Sequence, residues 1–316
     1  MRRGPWAGLS TERANPASRA LDRMTALGIA RLMNREDQAA VRRVRHAVPA
    51  VGRAVDLIVE ALSRGGRLFF MGAGTSGRLG VLEAAECPPT FGTPPGLVQA
   101  IMAGGRASVF RSREGAEDDA RAAARTVRQR LRAGDVLVGV SASGVTPFVR
   151  AGLAEARRLA ARTVLVVCNP RPARTAAEVV IAVAPGPEVL AGSTRLKAGT
   201  VTKLVLNTLT MASMARLGRV HGNLMIDVQP RSAKLRARAS RLVQQLAAVS
   251  PPAARRALRA AGGRVRLAVL IARTGLELAP ARRLLRESGG SLRDALERHT
   301  RRHRLAHPRP RGGRRP

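Results

Sequence analysis

The chain has no tyrosine, one tryptophan and five phenylalanines in 316 residues. With aromatics at 2%, a stacking platform for single-stranded nucleic acid is excluded. Cysteine is as scarce: Cys87 and Cys168 stand far apart, which excludes a secreted disulfide framework and a Cys-x-x-Cys pair and makes a reducing cytoplasm the expected compartment. No uncharged apolar run reaches the roughly 18 residues of a membrane span, and the basic start MRRGPWAGLS has no apolar stretch behind it, so no membrane partner is expected. Lysine is nearly missing, with only Lys197, Lys203 and Lys234.

What is there is arginine. The net charge is +35, from 56 basic and 21 acidic residues, a balance that ordinarily signals a nucleic-acid partner. Here the arginines are spread along alanine-rich, helix-like segments rather than gathered in a stripe. Nucleic acid is therefore expected only weakly, through the arginine-rich end RRHRLAHPRPRGGRRP, read as a disordered basic tail over 301–316.

An apolar content of 45% suffices for a large core. Five short apolar stretches bounded by turn residues, at 67–72, 97–102, 135–141, 162–168 and 178–184, read as buried strands, and segments of helical period separate most of them. That alternation predicts an α/β fold: a five-stranded parallel sheet flanked by helices on both faces. A helical segment over 1–55 is expected before it, and a small helical region over 223–300 after the sheet domain of 56–222.

Three turns rich in glycine or hydroxyl groups follow predicted strands, where open parallel sheets bind ligands. They are Gly72 to Gly77, with Gly74, Thr75 and Ser76 inside it; Ser141, Ser143 and Gly144 with Thr146; and Gly192 to Thr200, with Ser193 and Lys197. Backbone N–H groups at a helix start, small hydroxyls and a nearby ammonium suit a phosphate monoester. The spacing matches neither the nucleoside-triphosphate loop nor the dinucleotide fingerprint. Lys197 and Lys203, in a chain that otherwise uses arginine, mark places where a compact ammonium is preferred.

The segments GAGTSGRLGVLEAAECPPTFG, SASGVTPFV, AGSTRLKAGTVTKLVLNTLT and GRVHGNLMIDV, with TERANPASRALDRM near the start, resemble the N-acetylmuramic acid 6-phosphate etherases, sugar-isomerase-type (SIS) proteins related to the glucokinase regulatory protein. The resemblance runs from about Leu9 to about Leu296. It implies an SIS domain acting on a phosphorylated amino sugar, with release of D-lactate by elimination and hydration. It implies no metal and no cofactor, and a homodimer with the site near the subunit contact.

By the same resemblance Glu86 is the proton donor and Glu117 the second functional carboxylate, the expected base at carbon 2. Glu86, beside Cys87, Pro88 and Pro89, is expected in an apolar corner, whereas Glu83 is read as a solvated surface residue. The family commonly carries Arg where Val145 stands, and His221 is taken as structural. A non-catalytic sugar-phosphate sensor and an aldose–ketose isomerase share the domain type, and the ECPPTFG segment favours the etherase over the isomerase.

Overall fold

In the computed structural model, residues 9–170, 174–227 and 232–306 are described. They form two compact units, one made of residues through Cys87 with Pro94–Ser213, the other of Pro88–Thr93 with the chain from Met214 onward.

The first unit opens with three single turns of tight helix at Ser10–Glu12, Pro16–Ser18 and Leu21–Arg23. Then come α1 (Ala26–Arg43), α2 (Val48–Ser63), β1 (Leu68–Gly72), α3 (Gly74–Phe91), β2 (Val98–Met102), α4 (Ala120–Arg130), β3 (Val136–Val140), α5 (Pro147–Arg158), β4 (Arg162–Val167), β5 (Val179–Ala182) and α6 (Lys197–Arg216). Each predicted strand is present, and all pairs are parallel in the order β2-β1-β3-β4-β5. The N-terminal helices, expected as a separate segment over 1–55, pack in the same unit as the sheet.

β1 and β3 are buried along their whole length, which is why their sequences are continuously apolar rather than alternating. Side chains still alternate between faces: Phe69, Met71, Leu137, Leu165 and Val167 share one core with Val127 of α4 and Val149 and Leu153 of α5. On the other face Phe70 lies against Gly80 of α3. Arg67 and Asp135 fasten the strand starts, with Nη2 donating to Oδ2 at 2.6 Å and the Arg67 N–H to Oδ1 at 2.9 Å.

The chain runs from β1 to β2 on one side and to β3 on the other. This reversal opens a crevice beyond the carboxyl ends of β1 and β3, where the first two glycine- and hydroxyl-rich turns lie.

The second unit holds a hairpin of β6 (Val220–His221) and β7 (Leu224–Met225), with α7 (Ala233–Ala247), α8 (Pro251–Ala260), α9 (Val265–Thr274), α10 (Leu278–Glu287) and α11 (Leu292–Ala306). Its own core includes Leu242, Val243, Leu267, Val269, Leu270 and Leu284. α11 corrects one expectation: residues 301–306, read as the start of a disordered tail, are helical. Arg298 and Arg302, one turn apart, both meet Glu287 of α10, the latter at 3.1 Å, which supports the helix there. Residues 307–316 of the expected tail lie outside the described residues. Among the described residues no helix is long and apolar enough to cross a membrane.

Candidate active site

A cavity of about 420 Å³ occupies the crevice. The β1 turn contributes Ala73, Gly74, Thr75 and Ser76, and the β3 turn contributes Ala142, Ser143, Thr146 and Pro147. Gly192 and Thr194 come from the third turn, Glu117 and Asp118 from the loop before α4, and Thr11 and Glu12 from the first tight helical turn. A second cavity of about 260 Å³ shares Ala73, Gly74 and Glu117 with it.

The first turn is built by close approach. A Cβ on Gly72 would stand 2.7 Å from the backbone nitrogen of Gly77, and Gly74 has φ +53°, so α3 starts against the end of β1 in a way only glycine permits. Gly77 itself does not line the cavity; it packs on Gly72 and Met102. In the second turn Ser141 is buried, shares a 2.8 Å hydrogen bond with Thr146 Oγ1 and accepts the Gly144 N–H at 3.0 Å. Ser141 and Gly144, with φ +79°, thus shape the turn, while Ser143 and Thr146 face the cavity. The amino end of α3 opens on it, and its N–H groups with the hydroxyls of Thr75, Ser76, Ser143 and Thr146 form a neutral cradle for an anion. α5 begins at Pro147, which has no N–H, and its Phe148 N–H is already bonded.

The third turn behaves differently. The amino end of α6 is already capped: buried Glu188 accepts the N–H groups of Lys197 and Ala198, each at 2.9 Å. Burial pushes the Glu188 carboxyl up, and these two bonds offset part of the rise. Lys197, only 3% exposed, spends its ammonium on Glu36 Oε2 at 2.7 Å and the Pro187 carbonyl at 2.9 Å. Neither Lys197 nor Ser193 lines the cavity, and among the described residues no arginine or lysine does.

Glu117 is exposed into the cavity, and its carbonyl accepts the Phe148 N–H of α5 at 2.9 Å. Glu86 is not in the lining. It is exposed on α3, one turn after exposed Leu82, which corrects the expectation of an apolar corner. Glu83, read as a surface residue, is the buried one: 5% exposed, it takes hydrogen bonds from Asn207 Nδ2 and, at 2.7 Å, from Thr210 Oγ1 of α6. The helix explains the exchange, since Glu83 and Cys87 share one face and Leu82 and Glu86 the neighbouring one. Burial lifts the Glu83 carboxyl above its ordinary value, opposed by Thr210 and Lys203 and helped by Glu86.

A carboxyl raised on folding gives stability that is full below its ordinary value and lost as pH rises through its folded value. Glu83→Gln, which cannot ionise, is therefore expected to gain on the parent by up to about 1.4 kcal/mol per pH unit between those two values. Urea unfolding across that range measures the difference, and a pH-independent difference counts against a buried, proton-holding Glu83.

Burial also pushes the thiols of Cys87 and Cys168 up to about 12, so neither supplies a thiolate near neutral pH. His221 lies in β6, outside the cavity. Among the described residues no group of three or more His, Cys, Asp or Glu is placed to hold a metal ion.

Residues 50–157 match the profile of the glucokinase regulatory protein N-terminal SIS domain. An N-acetylmuramic acid 6-phosphate etherase of Gloeobacter violaceus is 50% identical over 295 residues, which is 92% of this chain and 96% of that protein. The chain belongs to the N-acetylmuramic acid 6-phosphate etherase family. Further etherases of this family, from Symbiobacterium thermophilum and Brucella anthropi, are 50% and 46% identical over 85% and 91% of this chain and 90% and 94% of their own lengths. A phosphoheptose isomerase from Neisseria gonorrhoeae superposes with a TM-score of 0.44 at 18% identity, over 59% of this chain and 97% of that one.

Two cavity residues of this etherase-family chain, Thr11 and Glu12, escape the strand-and-turn reading because they lie far upstream of the sheet. Their signal is the TERANP segment within the family resemblance. Gly192 and Thr194 fall inside the third turn but at positions other than those expected.

Proposed function

We infer that this protein cleaves the lactyl ether of N-acetylmuramic acid 6-phosphate with water, giving N-acetylglucosamine 6-phosphate and D-lactate. The observation that carries the reading is near end-to-end identity of about half with a protein named for that etherase, in a chain whose cavity pairs a neutral anion cradle with Glu117. The phosphate sits in the cradle of the β1 and β3 turns, held by N–H dipoles and hydroxyls.

In the open-chain sugar the aldehyde acidifies the hydrogen on carbon 2. Glu117 takes that proton as base, the carbon 3–oxygen bond breaks, and an acid protonates the departing oxygen so that lactate leaves as its alcohol. Water then adds at carbon 3 and a proton returns to carbon 2. Each step couples a proton transfer at carbon 2 to the breaking or making of the carbon 3–oxygen bond, which an acid and a base assist. Glu86 supplies the acid. Its exposed position on α3, apart from the single-chain cavity, fits a homodimer in which the subunit contact closes the site, and the expected cytoplasmic setting suits a phosphorylated substrate.

The test is D-lactate release on incubating the purified protein with N-acetylmuramic acid 6-phosphate. One lactate per sugar phosphate consumed is expected. Sugar phosphate rearranged without lactate would move the reading to an isomerase, and binding without turnover to a sensor.

A further inference from the structure

We propose that Glu12 contacts the substrate, accepting hydrogen bonds from the hydroxyl chain of the sugar phosphate and so setting specificity for it. The proposal rests on the reading of this cavity as a sugar-phosphate site, and adds a residue from outside the sheet's own turns.

The placement of Glu12 is built, not incidental. Thr11 is buried, its carbonyl accepts the Gly192 N–H at 3.1 Å, and its hydroxyl donates to Glu12 Oε1 at 3.2 Å. Four residues on, Asn15 donates to Glu36 Oε2 at 2.8 Å and to the Pro187 carbonyl at 3.3 Å. Those are the two acceptors that the Lys197 ammonium also binds. Burial alone would raise the Glu36 carboxyl, but its bonds to Lys197 and Asn15 and the charge of Lys197 hold it below the usual range. The Asn15–Glu36–Lys197 cluster therefore straps the N-terminal segment beside the third turn, with Thr11 and Glu12 lining the cavity.

One Glu12 oxygen is occupied by Thr11; the other, Oε2, lies 3.6 Å from where a Cβ on Gly192 would stand. Gly192 has φ +79°, so the position favours glycine on conformational grounds. A carboxylate beside a phosphate, in a cavity whose lining has no cation among the described residues, is repelled by the anionic end of the substrate. What it can bind is a neutral O–H donor, and a carboxylate–hydroxyl bond is among the stronger kinds. The sugar's hydroxyl chain between phosphate and reacting carbons supplies such donors.

The experiment uses the full chain, with Glu12→Gln keeping the shape and the acceptor for Thr11 while removing the charge. Affinities for N-acetylglucosamine 6-phosphate and for inorganic phosphate are measured by calorimetry beside the melting temperature, with Glu12→Ala as a second variant. Expected is a roughly 10- to 100-fold loss of sugar-phosphate affinity in both variants, with inorganic phosphate binding undiminished or stronger once the repelling charge is gone, and the melting temperature of Glu12→Gln unchanged. Equal loss for both ligands with earlier melting would make Glu12 a structural latch, and unchanged affinities would overturn the proposal outright. Calorimetry needs no turnover, so a parent that binds the sugar phosphate but releases no lactate refutes the etherase reading alone.

Discussion

Glu117→Gln is expected to lower kcat for lactate release by about 10³-fold while leaving inorganic phosphate binding intact. General-base catalysis is worth roughly 10² to 10⁴, and of the carboxylates lining the cavity, Glu12, Glu117 and Asp118, Glu117 is the one the family resemblance singles out. Its backbone is fixed by the Phe148 N–H at 2.9 Å, so the amide variant keeps the fold and loses only the base. Glu86→Gln is expected to be as damaging, although Glu86 does not line the cavity.

That mismatch makes the pair informative. In a two-fold symmetric dimer the two carboxylates serving one cavity come from one subunit or from two. When the two inactive variants are mixed and allowed to exchange subunits, half of the dimers are mixed. Paired across the contact, each mixed dimer contains one intact site, and activity returns to about a quarter of the parent. Paired within one subunit, no site is intact and none returns. A Glu86→Gln variant with parental activity would remove Glu86 from the mechanism and leave the acid to another cavity group.

The contrast between these glutamates shows what the sequence makes legible. The five parallel strands are readable because each is a short apolar run between turn residues, whereas their order, and with it the switch point, comes from the structure. The first two turns are readable because close approach of α3 to β1, and the sharp bend after β3, demand glycine at Gly72, Gly74 and Gly144. Which face of α3 is buried is not readable. α3 has polar and apolar residues on several sides, and the choice between Glu83 and Glu86 is made by Asn207 and Thr210 of α6, more than a hundred residues away. The β6–β7 hairpin has two residues per strand, too few for any period to register.

Lys197 offers the sharpest separation of two roles. Read from sequence, it is a phosphate ligand; placed in the fold, its ammonium is buried against Glu36 and Pro187. Lys197→Met leaves the Glu36 carboxylate partly buried without its cation, and breaking such a pair from one side costs about 3 kcal/mol. The sign of the pH dependence follows from Glu36, whose carboxyl is held low in the fold. Its stabilisation is present above the ordinary glutamate value and lost as pH falls through the folded one. The gap between parent and Lys197→Met in urea unfolding is therefore expected to be wide at neutral pH and to close on acidification. In the double variant with Glu36→Leu, much of the loss is expected to return, because no unpaired charge remains. Since the same cluster straps the segment that carries Glu12, Lys197→Met is also expected to weaken sugar-phosphate binding more than inorganic phosphate binding. A lysine that touched the phosphate would give the opposite pattern: weaker inorganic phosphate binding, little change in unfolding, and no rescue by Glu36→Leu.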